Sequence, residues 1–334
     1  MKRIAIVILL ALVASGAWAQ DLGDFQNGFT GFASALAPTL SYNATAGNNW
    51  SDAYIGNLPH FGIGAAVGFT SVPIGELTTL IGTIASGVEI PAALSQLGLP
   101  VPAAALSAKI GGFILPFDLG LKAMMLTPEM TASLDAMGFS FDYSLFGGNV
   151  RYALLKQNVL LPDVSVGAGY NRLNGAISMP LGITGQSFTF NDGASDHVLA
   201  VSDPDLALSW TTDSFDFTVQ ASKKILFIEP YLGAGLSVGK STVRGGIESQ
   251  LTYDGAAVTE SQVEAIRQAL ADGGIAMPEL SADGFMFGSE DATPAFRVYG
   301  GLSLSLFVVK LDTTVTYALA SRSLGAQVML RVQF

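Results

Sequence analysis

Three stretches late in the chain alternate between two kinds of residue. In residues 323–334 one set is Leu324, Ala326, Val328, Leu330, Val332 and Phe334, and the other is Gly325, Gln327, Met329, Arg331 and Gln333. Residues 311–319 set Leu311, Thr313, Val315, Tyr317 and Leu319 against Asp312, Thr314, Thr316 and Ala318. Residues 295–308 set Phe296, Val298, Gly300, Leu302, Leu304, Leu306 and Val308 against Arg297, Tyr299, Gly301, Ser303 and Ser305. Successive strand side chains point to opposite faces, so period two predicts strands with one apolar face.

Ten such strands are predicted, at about 60–70, 104–114, 116–126, 139–155, 162–179, 205–222, 227–244, 294–308, 311–321 and 323–334. Short turns are expected at 115–118, 156–161, 222–226 and 309–310, and long connections at 71–103, 127–138, 180–204 and 245–293. With the C-terminus inside the envelope, each short turn falls on the periplasmic side and each long loop outside, except the tight turn at 321–323. That is the pattern of a transmembrane barrel. Ten residues at ~3.3 Å each, tilted about 40°, also match a lipid-facing band of roughly 25 Å. The predicted class is all-β: a closed antiparallel transmembrane β-barrel of about ten strands (range 8–14), with short helices in its external loops.

Two places blur the count. In 205–222 the apolar set changes phase, from Leu206, Leu208 and Trp210 to Phe215, Phe217 and Val219, which reads as a bulge or a hairpin. Residues 34–43 would run the wrong way as a first strand. They are expected to pack as a short element in the lumen or at the periplasmic mouth.

The chain opens with MKRIAIVILLALVASGAWAQ, a basic start, a short apolar run and an Ala-Trp-Ala site. This predicts a secretory signal peptide over 1–19, cut near Ala19-Gln20. Residues 20–59 are then an N-terminal plug or periplasmic segment, and 60–334 the barrel. Cleavage there leaves 14 basic and 27 acidic residues, a net charge of −13, which argues against nucleic acid as a partner. The chain has no cysteine, so neither disulfides nor thiol chemistry enter.

If the apolar sets face lipid, Lys109, Lys122, Asp163, Glu229, Arg297, Asp312 and Arg331 point into the lumen. Charges on the lipid face would cost a few kcal/mol each near the midplane. Paired across a filled lumen, they are structural. Unpaired, they would line a solute path. The loop 71–103 carries Leu77, Leu80, Ile81, Ile84 and Val88 at helical spacing, with Glu76 and Glu89 as its only charges. Such a segment must pack into the barrel mouth, meet lipid, or bind an apolar ligand. The loop 245–293 holds nine acidic residues and one basic one, Arg267. Within it Thr259 and Gln262 fit a capping box, Val263, Ile266 and Leu270 line one face, and Gly273-Gly274 ends the helix.

Catalysis finds little support in the sequence, and no enzyme activity is expected. His60 and His197 are the only histidines. His197 follows Asp196, which resembles the Asp and His of ten-stranded outer-membrane proteases in that one respect. Asp192, Asp196, Asp203 and Asp205 match no calcium-loop spacing, so neither metal nor cofactor is expected.

With strands and ending in hand, the chain resembles bacterial outer-membrane β-barrel proteins. The resemblance implies location in the outer membrane of a diderm bacterium, with lipid as surroundings. It also implies that Val328, Leu330, Val332 and Phe334 form the signal presented to the barrel-assembly machinery. In layout the chain is similar to fatty-acid-transport-like barrels, although their N-terminal Asn-Pro-Ala motif is absent and the nearest stretch is Ala35-Leu36-Ala37-Pro38-Thr39. That layout implies passive passage of a small, hydrophobic solute. The alternative is a structural or surface-interaction barrel without transport.

Overall fold

The structure, a computed structural model, describes residues 18–56, 60–72, 98–112, 115–136, 138–180, 184–191, 195–272, 280–292 and 294–334. The chain begins with helix α1 (Trp18–Asn43), followed by β1 (His60–Val72), β2 (Leu99–Gly111), β3 (Phe117–Met125), α2 (Pro128–Asp135), β4 (Ser140–Leu155) and β5 (Asp163–Pro180). An external hairpin, β6 (Gln186–Asn191) and β7 (Asp196–Val201), precedes β8 (Asp205–Ser222) and β9 (Ile228–Glu248). A second external excursion holds β10 (Leu251–Tyr253), β11 (Ala256–Ala257), α3 (Glu260–Asp272), β12 (Leu280–Ser281) and β13 (Gly284–Asp291). The chain returns through β14 (Ala295–Leu306), β15 (Val309–Ala318) and β16 (Ser323–Gln333).

Ten antiparallel strands close on themselves in the order β1-β2-β3-β4-β5-β8-β9-β14-β15-β16, and β16 pairs back to β1 from Gly62↔Gln333 to Thr70↔Gly325. Closure leaves the barrel no edge strand, so the backbone polar groups at lipid depth are satisfied within the wall. The alternation places residues as the pattern predicts. On β16, Leu324, Val328 and Leu330 are exposed outward while Ser323, Met329 and Arg331 are buried inward.

The phase change in 205–222 is neither a bulge nor a hairpin. β8 pairs without a shift along its full length with both β5 and β9. Trp210, Thr212, Ser214, Asp216 and Gln220 all face inward, whereas Phe215, Phe217 and Val219 are exposed outward. The apolar set changes sides because the strand leaves the membrane. β9 has 21 residues, which at ~3.3 Å each and a tilt of about 40° span roughly 50 Å, twice the lipid band. Below the upper membrane surface, apolar residues belong outside. Above it they belong inside. Outward ion pairs mark the transition: Arg172–Asp213 at 3.7 Å and Lys240–Glu290 at 2.9 Å.

The hairpin joining β14 to β15 turns at Phe307 and Val308, not at 309–310. Phe307 takes a left-handed φ of 56° and is fully exposed at the tip. Lys310 is therefore a strand residue, buried inside the barrel.

Residues 34–43 form the second half of α1, inside the barrel at its external end. Phe29, Phe32, Ala33, Leu36, Ala37 and Leu40 recur at helical spacing and are buried. They pack against β9, β13, β1, β14 and β8. Pro38 removes the N–H that would bond the Ser34 carbonyl, a local weakness in the last turns. In the external excursion, the Thr259 amide donates to Gln262 Oε1 at 2.8 Å at the start of α3, and Val263 is buried.

Candidate functional site

After α1 the chain makes a turn at 44–47 and descends the lumen without regular structure as far as residue 56. Buried backbone outside a helix or sheet must find partners elsewhere, and here the barrel wall supplies them. Lys122 Nζ donates to the carbonyls of Ala44 and Ala46 at 2.5 and 2.8 Å. The last turn of α1 has no basic residue of its own, so this wall lysine provides the cation that a helix C-terminus favours. Lys109 Nζ donates to Asn48 O at 3.0 Å. Gln220 Nε2 donates to the carbonyls of Trp50, Ser51 and Asp52 at 2.7–3.2 Å. Asp118 accepts the Ile55 amide at 2.8 Å, and Ser222 accepts the Ala53 amide at 2.9 Å.

The charged side chains converge on Asp52. Arg331 Nη1 donates to it at 2.7 Å and Lys310 Nζ at 2.5 Å. Arg331 Nε also donates to Asp312 at 2.7 Å, and Lys310 reaches Glu229 at 3.4 Å. Trp50 is enclosed by two cations, with Arg331 4.9 Å and Lys109 5.4 Å from its ring. Two further pairs brace the wall. Arg151 bonds Asp118 at 2.6 Å and reaches the Asp52 carbonyl at 2.8 Å. Arg297 forms a two-pronged pair with Asp216 at 2.7 and 2.8 Å. The strand beside Arg297 carries Gly235, where a Cβ would lie 2.7 Å from the guanidinium carbon. Only glycine leaves room for this pair.

The spaces left beside the lumen segment are about 10 Å³, lined by Asn48, Arg151, Asp216 and Tyr299, and about 30 Å³, lined by Tyr42, Thr45, Thr314 and Gln327. Each has room for roughly one or two water molecules. A larger hollow of about 790 Å³ lies against Ile63, Leu106, Leu121 and Phe146 on the outer wall, among lipid-facing side chains. Among the described residues the lumen is filled.

Of the lumen residues expected from sequence, Lys109, Lys122, Glu229, Arg297, Asp312 and Arg331 are buried within this network. Asp163 stands apart at the periplasmic rim, where it accepts the Gln157 amide at 2.7 Å. Asp52, Asp118, Arg151, Asp216 and Lys310 complete the network and were not singled out. Four of them lie on strands, alternating with apolar neighbours as Arg331 does, and the same parity test would have found them. Leu77, Leu80, Ile81, Ile84 and Val88 lie outside the described residues.

Above the polar zone the interior changes character. Leu145, Leu173, Trp210, Val243 and Phe287 form an apolar chamber around α1. Gly175 lies beneath the Trp210 indole, and any side chain there would collide with the ring. Among the described residues Trp210 Nε1 has no hydrogen-bond partner. Polar tethers of α1 to the wall include Ser34 to Ser289 at 3.5 Å, Thr39 to Ser323 at 3.0 Å, Ser41 to Ser241 at 3.3 Å, and Asn43 Nδ2, which donates to the carbonyls of Val101 and Pro102 at 3.2 and 3.3 Å.

Outside the barrel, His197 pairs with Asp254. Its Nδ1 lies 2.7 Å from Asp254 Oδ2. That hydrogen bond, and a second from the Val198 amide, hold the Asp254 carboxyl below its ordinary value.

Among solved structures, the transport unit of the autotransporter AIDA-I from Escherichia coli is 10% identical, with 89% of this chain and 97% of that one covered and a TM-score of 0.32. The outer membrane protease OmpT from Escherichia coli is 9% identical, with 82% and 96% covered and a TM-score of 0.33. A Pseudomonas aeruginosa FadL homologue is 12% identical, with 78% and 60% covered and a TM-score of 0.31. None of these likenesses bears on function. No curated protein sequence matches the chain. A family profile does match, over residues 70–328, and the chain belongs to that family, described as a family of unknown function (DUF6588).

Proposed function

We propose that this barrel sits in the outer membrane of a diderm bacterium, after signal-peptide cleavage near Ala19-Gln20 and insertion by the barrel-assembly machinery. There it passes a small hydrophobic solute by displacement of α1. The observation that carries this reading is the division of the interior. The external half is apolar and occupied by a helix whose polar tethers include hydroxyl pairs and the Asn43 amide. The periplasmic half is polar and tightly bonded. With α1 moved aside, the chamber lined by Leu145, Leu173, Val243 and Phe287 would receive an apolar molecule, and Trp210 Nε1–H would offer it one donor. The sealed polar zone accounts for a resting state that passes no ions.

The second reading, a structural or surface-interaction barrel, draws on the same sealed zone. Purified protein in proteoliposomes and in planar bilayers separates the two. Transport predicts entry of small aromatic or aliphatic solutes above the protein-free rate, with bilayers electrically silent. Solute entry at the protein-free rate overturns it in favour of the second reading.

A further inference from the structure

The external sheet β11-β10-β7-β6 brings a distant aspartate beside a serine and a histidine that are neighbours in the sequence. Ser195 Oγ stands 3.2 Å from His197 Nε2, and His197 Nδ1 stands 2.7 Å from Asp254 Oδ2. The other Asp254 oxygen accepts the Val198 amide at 2.7 Å. The scaffold fixes this arrangement. β7 and β10 pair through Leu199↔Tyr253, and the Asp254 amide bonds back to Val198 O at 2.8 Å. Asp254 and Gly255 both take left-handed φ values, 49° and 77°, at the tip of the β10–β11 hairpin, so the Asp-Gly turn holds the carboxylate beside β7. The His197 ring stacks on Tyr253 at 5.3 Å.

The chemistry of the partners fixes the histidine tautomer. An ionised Asp254 only accepts hydrogen bonds, so the proton sits on Nδ1 and the Nε2 lone pair faces the Ser195 hydroxyl. A nucleophile, a base aimed at its proton and a group orienting the base are three of the components of an acyl-transfer site.

The geometry points to a second activity, independent of solute passage: hydrolysis of small carboxylic esters at the cell surface, with Ser195 as nucleophile, His197 as base and Asp254 as a positioning residue. In the acylation step Ser195 Oγ attacks the ester carbonyl carbon and its proton passes to His197 Nε2. The bond to the alcohol oxygen then breaks, and the alcohol leaves with that proton. Water next attacks the acyl carbon, giving its proton to Nε2. Ser195 leaves and recovers the proton, so each turnover consumes one water and releases one acid and one alcohol. Asp196, Asp203, Asp205 and Glu260 surround the sheet in sequence, and their charge favours neutral or cationic esters over anionic ones.

The test uses the full chain in detergent micelles, with a fluorophosphonate probe and p-nitrophenyl butyrate. A covalent adduct is expected on the peptide bearing Ser195. Hydrolysis is expected to fall in Ser195→Ala by about 10²-fold or more, the range of a positioned general base. Asp254→Asn should lose activity because its amide donates to Nδ1 and reverses the tautomer, whereas Asp254→Glu should retain a measurable part. Unchanged amide exchange at Val198 in Ser195→Ala is the control that the hairpin still folds. Absence of the adduct, or a Ser195→Ala protein that hydrolyses the ester at the parent rate, overturns the proposal and leaves the three side chains as bracing for the sheet.

Discussion

Arg331 on the closing strand donates to Asp52 of the lumen segment at 2.7 Å, and the arginine side chain is wholly out of water. With the Lys310–Asp52 pair, this contact joins the wall to the chain that fills it. Breaking a buried pair from one side leaves a charge without compensation, at about 3–5 kcal/mol. Asp52→Ala would leave Arg331 with Asp312 and Lys310 with Glu229, each short of one carboxylate partner. The variant is expected to unfold at lower urea concentration than the parent and to show conductance steps in planar bilayers. Unchanged stability together with a silent bilayer would contradict the role given to this pair.

Leu36 is buried on the apolar stripe of α1. Leu36→Ala should cost about 2–5 kcal/mol of the helix's packing against the wall. Amide exchange over 28–43 should accelerate while exchange in β14, β15 and β16 stays unchanged. Equal acceleration in those strands would mean that helix and barrel form one cooperative unit.

Phe334 stacks on Phe61 with ring centroids 5.1 Å apart, and its amide donates to the Phe61 carbonyl at 2.9 Å. This contact lies at the seam between β16 and β1. Aromatic pairs contribute about 0.5–1.5 kcal/mol beyond burial, so Phe334→Ala should cost little stability once folded. If the residue is read during assembly, it should instead lower the yield of membrane-inserted protein several-fold. Normal insertion of the variant would remove Phe334 from the assembly signal.

Asp254 has its carboxyl held below the usual range, first by the His197 hydrogen bond and then by the Val198 amide. A depressed carboxylate contributes stability that is complete above its unfolded value, about 3.9, and is lost as pH falls through its folded value. The β7–β10 pairing should therefore open below about pH 4, read as faster amide exchange at Val198. Asp254→Asn should lose that acid dependence. An identical acid transition in the variant would assign it to another group.

Much of the wall was legible because lipid imposes period two on every strand that crosses it. Arg331, Asp312 and Arg297 could be assigned to the interior by counting from their apolar neighbours. The rule misleads where strands outgrow the membrane: Leu206, Leu208 and Trp210 turn inward around α1, and the sequence alone reads that reversal as a break. The lumen segment was illegible for a different reason. Residues 44–56 have no period, and their conformation is dictated by hydrogen bonds from Lys122, Gln220 and Asp118 on distant strands. Asp52 is the centre of the network, yet nothing local marks it. His197 and Asp254 are 57 residues apart and meet only because β7 and β10 pair.

The central claim is that α1 must leave the external chamber for a solute to enter. The chain contains no cysteine, and Ser34 and Ser289 face each other at 3.5 Å between α1 and β13. The double variant Ser34→Cys, Ser289→Cys can therefore be locked by oxidation and released by reduction. Solute uptake into proteoliposomes is the direct measurement. The account predicts uptake near the protein-free rate when the bond is formed and recovery when it is reduced. Equal uptake in the two states would contradict it.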